Sequence, residues 1–89
     1  MTTVRNGRTG SEVKKMNKQR RERIEQAEKL LEQAQEIIEE VQQEEQEALD
    51  NMPESFRYGF QGGEMETNID YMEEASRQIS DALYGLNEI

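Results

Sequence analysis

Carboxylates outnumber every other group in this chain that could do chemistry: 20 Asp and Glu side chains in 89 residues, with neither His nor Cys. Without an imidazole or a thiol, the usual nucleophile–base pairs and the nitrogen or sulfur metal ligands are excluded. A carboxylate di-metal site in a helical bundle places Glu on inward positions and adds a Glu-x-x-His pair. Most acids here fall outside the apolar stripes described below, and Glu45 is the one clear stripe acid. A solvated acidic face is therefore expected. No Asp-x-Asp-x-Asp-Gly calcium loop and no Gly-x-x-x-x-Gly-Lys phosphate loop is present. Gly59-Phe60-Gln61-Gly62-Gly63 reads as a turn, since it lacks the nearby Lys of a phosphate cradle. The expectation is a protein that is not an enzyme and holds no cofactor or metal.

Binding chemistry has more material. Phe56, Tyr58 and Phe60 are three of only five aromatic residues, and they surround Arg57. Their expected role is to cap the end of a helical bundle and anchor a turn. Exposed, the same rings beside Arg57 would make a compact partner-binding hot spot. A second candidate is the acidic face formed by Glu36, Glu40, Glu44 and Glu47, because rows of carboxylates on a rigid helix imitate a phosphate backbone. A third is a basic arm of Lys14, Lys15, Lys18, Arg20, Arg21 and Arg23. Lys14, Lys18 and Arg21 share one helical face, and counterion release would reward phosphate contact there. The arm has no aromatic for base stacking and no recognised DNA-binding motif. A solvated arm, or one that pairs with acidic faces of a neighbouring chain, is the structural alternative.

These charges are segregated. Residues 1 to 23 carry eight basic side chains against Glu12 and Glu22, and residues 24 to 89 carry 18 acids against Lys29, Arg57 and Arg77. A basic segment of +6 is thus joined to an acidic body of −15, for a net charge of −9. Any partner meets that polarity first.

The elements that position these groups are helices. Only 33% of residues are hydrophobic and 35% are charged, so a large core is excluded and one small domain is the limit. Strand-like alternation is absent, and Glu, Gln, Lys, Arg, Leu, Ile and Ala dominate the middle. Residues 1–11 are polar, glycine-containing and aperiodic, which predicts a disordered basic tail. Ser11 is a candidate N-cap for a basic helical arm over 12–23, where apolar residues are sparse. From Ile24 onward, Ile24, Ala27, Leu31, Ala34, Ile38, Val41, Ala48 and Met52 follow three- and four-residue steps. Leu30, Ile37 and Leu49 widen this stripe toward a bundle-type face. Glu45 interrupts it. Either the stripe drifts toward Leu49 and leaves Glu45 at the rim, or Glu45 is a polar position that sets register.

Pro53 ends the first helix, predicted over 24–51, and opens a fresh helical turn inside a connection spanning 52–63. The second helix is predicted over 64–88, where Met65, Ile69, Met72, Ser76, Ile79, Leu83 and Leu86 keep an unbroken heptad. The fold class is all-α: an antiparallel two-helix hairpin over 24–89. One hairpin has a one-sided core, and its wide first stripe exceeds what one helix covers. Dimerisation into a four-helix bundle is therefore expected, so a homodimer is the first partner. No apolar run approaches the roughly 20 residues that cross a bilayer, and the N-terminal residues lack a signal peptide's hydrophobic segment. A cytoplasmic protein with no membrane contact is expected.

Glu44-Glu45-Gln46-Glu47-Ala48-Leu49-Asp50-Asn51-Met52-Pro53-Glu54-Ser55, then Gly63-Glu64-Met65-Glu66 and Asn68-Ile69-Asp70-Tyr71-Met72, resemble small acidic helical proteins of Gram-positive phages and prophages. The resemblance covers roughly residues 24 to 89. The basic arm lies outside it, and Phe56-Arg57-Tyr58-Gly59-Phe60 is more aromatic than the usual connection. It implies a genetic setting and transfers no site residue. Small acidic phage proteins often bind host or phage machinery, defence nucleases included. The resulting expectation is a protein-binding module that modulates a host or phage protein. A nucleic-acid mimic that inhibits a defence nuclease, in the manner of anti-CRISPR proteins, is one alternative. A structural or assembly protein whose basic arm touches nucleic acid is the other.

Overall fold

A computed structural model describes residues 16–89. The expected tail over 1–11, the Ser11 cap, and Lys14 and Lys15 of the basic arm lie outside the described residues. The rest is all-α: α1 spans Lys18–Asp50, α2 Glu54–Arg57 and α3 Phe60–Asn87. The two long helices run antiparallel, and α3 packs along the length of α1. The molecule is a rod of 67 × 17 × 16 Å with a radius of gyration of 20.8 Å. A compact chain of this length would have a radius of gyration of about 12 Å.

α1 begins six residues before the expected Ile24, so Lys18 to Arg23 form its first turns, continuous with the hairpin helix. The cap is Asn17, whose side-chain oxygen accepts from the Arg20 amide at 2.9 Å and satisfies one of the free N–H groups of the first turn. The helix stops where Asn51 and Met52 turn toward Pro53. The predicted fresh turn is present: the amides of Phe56 and Arg57 both donate to the Pro53 carbonyl at 2.9 Å.

α3 starts at Phe60, four residues before the expected Glu64, so Gly62 and Gly63 belong to a helix and not to a flexible return. Close packing explains Gly62. Its α-carbon faces the main chain of Arg57, and a Cβ there would lie 2.6 Å from the Arg57 carbonyl carbon and closer still to its oxygen. Only a hydrogen fits between α2 and α3.

The core is thin. Leu49 and Ile69, at 3% and 8% exposure, are the only buried hydrophobic side chains among the described residues. Ile24, Leu31, Ile38, Met65, Met72, Ile79, Leu83 and Leu86 are half-buried along the seam. Toward the end of α1 the seam runs through Gln42, Glu45 and Leu49, and leaves Val41 and Ala48 exposed. The drift toward Leu49 is present, with Glu45 half-buried beside it.

Polar contacts fix how the helices are aligned. Gln35 of α1 donates through Nε2 to the Ser76 carbonyl at 2.9 Å and to the Ser80 hydroxyl at 2.7 Å. Ser76 in turn donates to a Glu39 carboxylate oxygen at 3.0 Å. At the open end, Arg21 donates to the main-chain oxygen of Ile89 at 3.0 Å. A basic side chain beside the C-terminal end of α3 is favourable, because the carbonyl groups there carry partial negative charge.

Candidate functional site

The segment joining the two long helices concentrates the exposed aromatic surface. Phe56 is 59% exposed, and Tyr58 and Phe60 are each 82% exposed. The expected capping role is therefore corrected. α2 packs against the start of α3 through the close contact of Gly62 with the Arg57 main chain, and the rings stay exposed. Leu49 is the buried residue near this end.

Arg57 is built into the structure. Its guanidinium lies 3.5 Å from the Asp50 carboxylate, across the connection between α1 and α2. Both side chains are partly exposed, so the pair contributes about 0.5 kcal/mol. Among the described residues it also neutralises the one cation near the rings in the chain. What surrounds Phe56, Tyr58 and Phe60 is then acidic: Glu54, Glu64 and Glu66 are exposed nearby in the chain. A shallow groove over Phe60, Gly63, Glu64, Thr67 and Asn68 continues from the rings onto α3.

Glu36, Glu40, Glu44 and Glu47 are all exposed. Steps of three and four residues align them in one row on the side of α1 turned away from the seam. Among the described residues none of the four forms an ion pair, and a Gln43 amide approaches Glu47 at 3.5 Å. The row is a solvated acidic ridge on a continuous helix.

The basic residues are dispersed. Lys18, Arg20, Arg21 and Arg23 are exposed, but they fan around the first turns of α1 and do not form one patch. Lys18 and Arg21 do share a side, and Arg21 is engaged with Ile89. Among the described residues no group of three or more Asp and Glu is arranged to hold a metal ion. Among the described residues no helix is long and apolar enough to cross a membrane.

Sequence reasoning missed one feature, the side of the hairpin that carries Leu30, Ile37 and Val41. These are 64%, 60% and 45% exposed, on the flank of α1 and not in its seam. Their signal is present in the sequence: Val41 lies in the first stripe, Leu30 and Ile37 widen it, and the surplus width points to a second copy; that the surplus lies on one flank, apart from the seam, is visible only in the structure.

No family model, no curated protein and no solved structure matches this chain.

Proposed function

We propose that this chain is a small, non-enzymatic protein-binding module, phage-encoded, that modulates a host or phage protein. The observation that carries this reading is the cluster of three exposed rings, Phe56, Tyr58 and Phe60, at one tip of a hydrophilic rod. Aromatic side chains lose little conformational freedom on burial and dominate binding hot spots. With acids around the rings and Arg57 held by Asp50, the fitting partner surface is basic and carries apolar pockets. A dimer of hairpins forming a four-helix bundle belongs to the same reading. Its support is that among the described residues only two hydrophobic side chains are buried while Leu30, Ile37 and Val41 face water.

The test is affinity capture from bacterial lysate with the wild-type protein and with a Phe56→Ser, Tyr58→Ser, Phe60→Ser variant. A protein retained by the first and lost with the second is the expected result. Equal recovery by both would refute the tip as the contact.

A second reading has its own support in the ridge of Glu36, Glu40, Glu44 and Glu47: a nucleic-acid mimic occupying a nuclease channel. Capture that falls steeply with salt and vanishes on replacing the four Glu with Gln would favour it.

A further inference from the structure

We infer that a second copy of this chain docks antiparallel along the flank of α1 that carries Leu30, Ile37 and Val41, an inference that rests on the reading that the protein self-associates. The two flanks of the hairpin differ sharply. One is polar: Gln35, Glu39, Ser76 and Ser80 bond across it, and Glu28, Glu32 and Tyr84 line the adjoining groove. Leu30, Ile37 and Val41 sit on the opposite flank of α1, and helical geometry places Ala75 and Ala82 of α3 on that same side.

Within α1 this flank has the pattern of a second seam. Ala27, Leu30, Ala34, Ile37 and Val41 follow the three- and four-residue steps of a heptad, which Glu44 interrupts before Ala48. Large and small side chains alternate from Ala27 to Ile37, which lets another helix approach closely.

The ends of the stripe specify who the occupant is. Arg23, Leu30, Ile37 and Glu44 are spaced by seven residues, so a positive charge, two apolar side chains and a negative charge share one line. A two-fold axis beside α1, level with the midpoint between Gln33 and Ala34, exchanges Leu30 with the partner's Ile37. The same operation brings Arg23 to the level of the partner's Glu44, twice. Parallel docking would instead set like charges together.

The helix itself does not account for these charges. Lys18, Arg20 and Arg23 lie at the N-terminal end of α1, and Glu44, Glu47 and Asp50 at its C-terminal end, so both sets oppose the helix dipole. Among the described residues only Asp50 of these six forms an ion pair. An antiparallel second copy reverses that disadvantage, because each charged end meets its opposite.

The test is sedimentation of the full chain at low and high salt. The wild type should be a dimer that weakens with salt. Leu30→Glu with Ile37→Glu should give a monomer of unchanged helicity, since both side chains already face water. Arg23→Glu or Glu44→Arg alone should weaken the dimer about tenfold, and the two together should restore most of the loss. Orientation is read independently by disulfide trapping, because the chain has no Cys of its own. Gln33→Cys should cross-link to its own copy, whereas Ala48→Cys, on the same flank, should not, its two thiols being roughly 44 Å apart along the rod. A monomeric wild type overturns self-association and this inference with it. A dimer indifferent to Leu30 and Ile37 leaves self-association standing and overturns the face. Equal cross-linking at both positions overturns the antiparallel orientation alone.

Discussion

Gly62 and Gly63 are adjacent in the first turn of α3, yet their surroundings differ completely. Gly62 is buried against the Arg57 main chain, while nothing lies within 4 Å of a Cβ built on Gly63. Backbone atoms cannot rotate out of the way, so Gly62→Ala forces α2 away from α3. The expected cost is about 1–3 kcal/mol. Gly63→Ala removes chain entropy from the unfolded state at an open helical site and is expected to stabilise by about 0.5–1 kcal/mol. Thermal unfolding of the two variants should shift in opposite directions, and equal shifts would contradict the close approach. Phe60 gives a third residue-level outcome. With its ring 82% exposed, Phe60→Ser should leave the unfolding free energy within about 0.5 kcal/mol of wild type while partner capture falls. A marked loss of stability would mean that the ring packs against the bundle end.

The alignment of α1 and α3 depends on a few polar side chains in a seam with little buried apolar surface. Removing the Gln35 amide leaves Ser76 and Ser80 without their cross-helix donor, and Gln35→Ala is expected to cost about 1 kcal/mol. Glu45 presents the converse case. It is half-buried in the seam with no hydrogen bond or ion pair among the described residues, so Glu45→Leu should raise stability by about 1 kcal/mol. Urea unfolding measures both, and a destabilised Glu45→Leu variant would show that the carboxylate has a structural role. Much of this seam was legible in the heptads, since Leu31, Ile38, Ile69, Met72, Ile79 and Leu83 are half-buried or buried. Val41 and Ala48 were misplaced for a geometric reason. A strict seven-residue repeat on a straight helix drifts about 20° per heptad, so over four heptads from Ile24 to Met52 the inward line moves by nearly one residue. That shift brings Gln42 and Leu49 in and turns Val41 and Ala48 out. The start of α3 was misread because Gly is a turn-former in isolation. Only the contact with Arg57 explains why Gly62 lies in a helix. The candidate tip was visible as a cluster of aromatics, but exposure decides its role, and exposure depends on the path of α2.

At the scale of the molecule, the ratio of surface to interior dominates. A rod of 67 × 17 × 16 Å with two buried hydrophobic side chains among the described residues has little to oppose the conformational entropy of its unfolded chain. If the flank of Leu30, Ile37 and Val41 is covered by a second copy, association stabilises the folded hairpin by mass action. The unfolding temperature then depends on protein concentration, which a monomeric hairpin forbids. For a dimer, a hundredfold increase in concentration is worth about 2.7 kcal/mol at room temperature. Two chains together have the unfolding entropy of a domain of roughly 150–200 residues, for which each kcal/mol shifts the midpoint by about 2–4 °C. Raising the protein from about 1 to about 100 μM should therefore raise the midpoint by roughly 5–10 °C. High salt should lower the whole series, because the pairing of opposite ends is screened. A midpoint unchanged across that range, with helicity retained, would establish the hairpin as a monomer and return its exposed flank to a partner of another kind.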